Sequence, residues 1–151
     1  QVLLHNPALA EILEKYGAYA RFNNSLPDRL NELAVAICGR YWGAHVEWIA
    51  HSRLALEAGI SQSIIDAIHD GEAPEFGNGD EQAIYDFCTG VFEAKRVEDA
   101  VYERCLELFG EAGVIDLMAT LTHYTVVSLT LNSFQVPVPD GAKTPPFGPG
   151  R

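Results

Sequence analysis

Several signatures are missing from this chain, and each absence narrows the reading. There is no basic run: ten Lys and Arg are scattered among twenty-one Asp and Glu, for a formal net charge of −11. Such a field argues against a nucleic-acid partner, and an anionic ligand must be held by local cations. Cysteine is scarce. Cys38, Cys88 and Cys105 are odd in number, far apart and set in apolar patterns, which predicts reduced core thiols in a cytoplasmic protein. No apolar run reads as a membrane span and no secretory signal pattern opens the chain, so no membrane partner is expected. Gln1 stands first in place of methionine, which leaves room for a preceding segment. A glycine-rich phosphate loop, a G-x-S-x-G elbow and a C-x-x-C pair are all absent. So is convincing strand alternation, and the expected fold class is all-α.

What remains is a globular composition, with 48% hydrophobic and 21% charged residues in a 151-residue chain of single-domain size. Helical punctuation recurs along it. Asn6-Pro7 reads as an N-cap with proline in the first turn, Ser25 as the cap of a second helix, and Gly43 as a break. A third helix ends at Gly59, Ser61 caps a fourth, and "GEAPEFGNG" is a loop. Asp80 reads as the cap of a fifth helix, a sixth ends at Gly110, and a long apolar helix closes the bundle. Residues 1–135 are expected to form one all-α domain. Residues 136–151, rich in proline and glycine, should form an extended tail lying across a neighbouring subunit. "ELAVAI" from Glu32 and "DLMATL" from Asp116 give one faint internal echo.

The chemistry-bearing stretch is "YWGAHVEWIAH", residues 41–51. Glu47 and His51 are four apart and share a helix face. Glu32 opens the apolar run "LAVAIC", so its helix is expected to be buried, and the Gly43 break would let it approach that face. Two carboxylates and an imidazole in an aromatic pocket suit proton transfer near neutral pH. The competing reading is plain: i,i+4 Glu–His pairs are common on solvated faces, and Tyr41, Trp42 and Trp48 serve as core or interface residues by default. A metal is not expected, because His45 points roughly 200° away from Glu47 on a regular helix. His123 is the one distant residue that could complete a ligand set. Trp48, His123, Arg40 and Arg53 are the candidate substrate contacts, the arginines because a guanidinium fork matches a carboxylate.

Residues 26–61, with the glutamate opening an apolar helix, the aromatic break, "E-W-x-x-H" and the "A-x-x-A-G" helix end, resemble the carboxymuconolactone decarboxylase superfamily. That superfamily includes the AhpD-like alkylhydroperoxidases. "GEAPEF", "DEQAIYDF" and "LTHYTVVSLTLNSFQVPVP" extend the resemblance over most of the chain. It implies an AhpD-like all-α fold built on a helical hairpin, assembled as a trimer or hexamer. In the peroxidase branch a C-x-x-C pair works with a glutamate and a histidine. Glu32 and His51 stand at the latter two positions, while Ala44 and Glu47 occupy those of the cysteines. The decarboxylase branch also lacks the pair, and implies cofactor-free decarboxylation of a small lactone acid. In that reading His51 is the acid, Glu47 orients it and Glu32 holds or relays a proton. Peroxide reduction and a catalytically silent oligomer are the alternatives.

Overall fold

The computed structural model describes residues 2–142 and 147. Among them the helices are α1 (Pro7–Ala18), α2 (Asp28–Tyr41), α3 (His45–Glu57), α4 (Gln62–Asp70), α5 (Gly79–Thr89) and α6 (Asp99–Ser133), with no strand. The all-α expectation holds. Single π turns, Tyr19–Asn23 and Gly90–Ala94, extend α1 and α5. Gly110 breaks the helical geometry of α6 (φ 68°, ψ 175°), so the two predicted helices meet there without separating.

α2 is the centre of the bundle. Leu30, Leu33, Val35, Ala36 and Cys38 are all essentially inaccessible, so its sides are covered by α3, α5 and α6. Each such aliphatic side chain contributes about 1.5–3 kcal/mol of transfer free energy. The hairpin with α3 depends on two glycines. Gly43 adopts φ 61°, which an L side chain rarely tolerates, and so permits the reversal. Gly39 lets the helices close up: a Cβ there would lie 3.1 Å from Trp48 N.

Asn6 and Ser61 cap α1 and α4 through their side-chain oxygens, as expected. Ser25 and Asp80 do not cap. Pro27 and Asn78 precede α2 and α5, and neither makes a side-chain cap. The Ser25 hydroxyl and amide both donate to Asp116, at 2.6 and 2.8 Å, and the Tyr19 hydroxyl donates to the same carboxylate. These bonds hold the Asp116 pKa down despite the upward push of burial. The residue that echoes Glu32 in sequence therefore fastens the α1–α2 connection onto α6. Asp80 pairs instead with Arg29, beside Glu81.

α6 is long and apolar enough to cross a membrane by length and composition, a likeness the sequence reading did not credit. Here it packs against α1, α2 and α5 as a bundle helix. Its end is tied to the α2 terminus: Trp42 Nε1 donates to Thr125 Oγ1 at 3.0 Å, and Asn132 Nδ2 to the Trp42 carbonyl at 2.7 Å. The tail was expected to cross a neighbour. Its buried Phe147 packs against Trp48 and Arg40, while residues 143–146 and 148–151, on which that expectation also falls, lie outside the described residues.

Candidate active site

Where α2 crosses α3, His51 sits between two carboxylates. Its Nδ1 lies 2.6 Å from Glu32 Oε2, and its Nε2 lies 3.4 Å from Glu47 Oε2. The His51 side chain is only 7% exposed and each glutamate 12%, so water screens the cluster poorly. Burial disfavours the charged imidazole. The hydrogen bonds and negative charges of Glu32 and Glu47 outweigh it, and the His51 pKa is raised. The charged form of the ring is therefore favoured, and its two nitrogens are held unequally. Glu32 grips Nδ1 at short hydrogen-bond distance, whereas the Nε2 contact is long. Nδ1 is thus the firmly held end of the ring and Nε2, toward Glu47, the looser one.

α6 closes over this cluster. The Tyr124 ring meets His51 edge-on at 4.9 Å, and burial, with the charges of Glu32 and Glu47, drives its phenol pKa well up. Cys38 is also nearby and its thiol is inert: burial pushes its pKa up to about 12, and Sγ points toward Leu121 O and Thr125 Oγ1 at 3.9 and 3.8 Å. His123 stacks edge-on against both Tyr124 and Tyr16. Gly17 makes room for it, since a Cβ there would lie 2.8 Å from the imidazole. His123 is kept neutral by burial, against the opposing pull of Glu47, and its Nδ1 is buried without a partner.

The remaining predicted contacts are placed elsewhere. The Trp48 ring, buried on α3, meets His69 of α4 and Phe147. Arg40 Nε donates to the His69 carbonyl at 2.8 Å, which aims the guanidinium at α4. Arg53 is 61% exposed and pairs with Glu57 on the surface. Of the predicted residues, His123 alone lines the cleft of about 370 Å³ between α1 and the second half of α6. That cleft is otherwise mainly apolar, with Leu13, Val126 and Leu131 in its walls. His45 faces Phe147 rather than Glu47. Among the described residues no group of three or more His, Cys, Asp or Glu is arranged to hold a metal ion.

The six-helix arrangement, with its central hairpin carrying a glutamate and a histidine, defines an AhpD-like fold. It superposes with a TM-score of 0.78 on the crystal structure of an Agrobacterium tumefaciens protein of unknown function, proposed to be the antioxidant defence protein AhpD. The two share 13% sequence identity, and the match covers 92% of this chain and 96% of that one. No family model and no curated protein matches the chain.

Proposed function

We propose that the chain is a cofactor-free acid–base enzyme resembling carboxymuconolactone decarboxylase, acting in the cytoplasm on a small organic acid or lactone. The observation that carries this reading is the buried His51 bridged between Glu32 and Glu47. Decarboxylation breaks a carbon–carbon bond and leaves its electron pair delocalised into the lactone carbonyl, as an enolate. A proton must then reach carbon. His51 Nε2 supplies it, because that proton is the loosely held one, and Glu32 keeps the neutral ring in place through Nδ1 until solvent reprotonates it. The test is carbon dioxide release from a panel of lactone carboxylic acids. His51→Gln should lower turnover by roughly 10²-fold or more. No decarboxylation across the panel, or full activity in His51→Gln, would discard the reading.

The description of the Agrobacterium neighbour as an antioxidant protein favours a second reading, peroxide reduction. The chemistry here weighs against it. With its pKa pushed to about 12, Cys38 would be thiolate in only about one part in 10⁴–10⁵ at neutral pH, and burial pushes the thiols of Cys88 and Cys105 up as well.

Assembly as a homo-oligomer, a trimer or hexamer, belongs to the same proposal. It is supported by a stripe of exposed apolar side chains along α6 (Ile115, Met118, Val126 and Leu129), continued by Ile12 and Phe22. Three buried free thiols support a reducing compartment, and the net charge of −11 weighs against nucleic acid and anionic membranes as partners.

A further inference from the structure

Against α3 and α4, Phe147 is seated in an aromatic slot. Its ring centroid lies 5.2 Å from Trp48, 5.3 Å from His45 and 5.5 Å from His69, and Arg40 Cζ sits 4.6 Å from the same centroid. Among the described residues, one donor of this slot lacks an acceptor and a second lacks a counter-ion. Trp48 is 1% exposed, yet its Nε1 has no hydrogen-bond partner, although buried indole N–H groups normally find one. Arg40 uses Nε on the His69 carbonyl. Among the described residues, however, no carboxylate pairs with its guanidinium, in a chain where acids outnumber bases two to one. A benzyl side chain fills the apolar part of such a slot and brings no acceptor to either donor.

We propose that this slot is a binding site for an arylcarboxylic acid, its ring replacing that of Phe147 and its carboxylate accepting from Trp48 Nε1 and the Arg40 guanidinium. An arene satisfies the walls, and the anion supplies what both donors lack. Local cationic charge is required here because the overall field of the protein repels anions. Phe147 acts as a ligand in cis, whose tethering gives it a high effective concentration, so a free acid must compete with it. The slot uses none of Glu32, Glu47 and His51, and this inference stands whether or not that cluster is catalytic.

Phenylacetate is the probe, and the readout is the indole N–H resonance of Trp48 in the full chain, distinguished from the other tryptophan by Trp42→Phe. Phe147→Ala should bind phenylacetate roughly tenfold or more tightly than wild type, with the Trp48 resonance moving as Nε1 gains an acceptor. Adding Arg40→Gln should reduce that affinity roughly tenfold, and benzyl alcohol, which lacks the anion, should bind more weakly than phenylacetate. A folded Phe147→Ala whose Trp48 resonance stays fixed at concentrations on the order of 10 mM, or which takes benzyl alcohol equally well, overturns the proposal. If Phe147→Ala does not fold, the wild-type chain decides at higher phenylacetate. Movement of the Trp48 resonance that Arg40→Gln abolishes supports the site, and no movement overturns it.

Discussion

Glu32→Gln is the most discriminating single change, because it removes a charge while keeping the side chain's shape. At an effective dielectric constant near 20, the attraction between an imidazolium and a carboxylate at the observed separations is about 6 kcal/mol for Glu32 and about 5 kcal/mol for Glu47. Desolvation of three nearly buried groups consumes most of that. The net loss should therefore follow charge-assisted hydrogen bonds, about 1.5–3 kcal/mol for Glu32→Gln, and less for Glu47→Gln, whose contact is longer. The pH dependence follows from the raised His51 pKa. A histidine whose folded pKa lies above its unfolded value stabilises fully below the unfolded value, about 6.5, and loses that contribution as pH rises through the folded value. Urea denaturation at fixed protein concentration should thus show the larger cost of Glu32→Gln at pH 5.5 and a smaller one at pH 9.5. An equal cost at both values, or a larger cost for Glu47→Gln, would refute the account of how the ring is charged and held.

Three further outcomes are expected. Peroxide turnover with a dithiol donor should be negligible and unchanged in Cys38→Ser, and alkylation of Cys38 in the native state should be slow, because burial keeps the thiol protonated; rapid turnover dependent on Cys38 would show the opposite. Ile115→Glu with Val126→Glu should lower the mass seen by light scattering to that of a monomer, since both replace exposed apolar side chains on one stripe; a wild-type monomer would remove the assembly claim. Asp116→Asn should cost about 1.5–3 kcal/mol at pH 7, measured by denaturation. Because the folded pKa of Asp116 is lowered, its contribution is present above the ordinary aspartate value and disappears as pH falls through the folded one, so the variant should approach wild type in acid.

The parts of this molecule that were legible in sequence are those written in local spacing. Glu47 and His51 share a face because they are four apart, and the apolar run behind Glu32 marks a buried helix, so their convergence could be anticipated from a hairpin at Gly43. The parts that were not legible depend on which way a side chain turns across elements distant in sequence. Ser25 has the composition of a cap, but Asp116 on α6 offers a charged acceptor that a helix terminus cannot match. Arg40 and Arg53 look alike as cations. The His69 carbonyl at the end of α4 captures Arg40, and Glu57, four residues on in α3, captures Arg53. Tyr124 lies in an apolar stretch where nothing distinguishes an aromatic over a buried imidazole from one that fills a core. Phe147 belongs to a segment without periodicity, so no pattern could place it against Trp48.

The placement of those arginines has a consequence for how a substrate anion could approach His51. With both carboxylates ionised and the imidazole protonated, the cluster carries one more negative charge than positive, in surroundings where screening is weak. Neither Arg40 nor Arg53 is placed to offset it, and the neighbouring His123 is held neutral by burial. An acid or lactone anion brought beside Nε2 would therefore be repelled, and more so once His51 loses its proton, so it must bind with proton uptake by the imidazole or with its carboxylate directed away. The first alternative links binding to pH: the apparent KM of a lactone acid should rise as pH increases from 6 to 8.5. Titration calorimetry in buffers of different ionisation enthalpy should report proton uptake on binding. Glu47→Gln removes the excess charge at the reactive end and should flatten both dependences, while Glu32, already committed to Nδ1, should matter less. A KM independent of pH, with no proton taken up, would mean that the substrate carboxylate never enters the field of the two glutamates, and that its anchor lies on another face of the bundle.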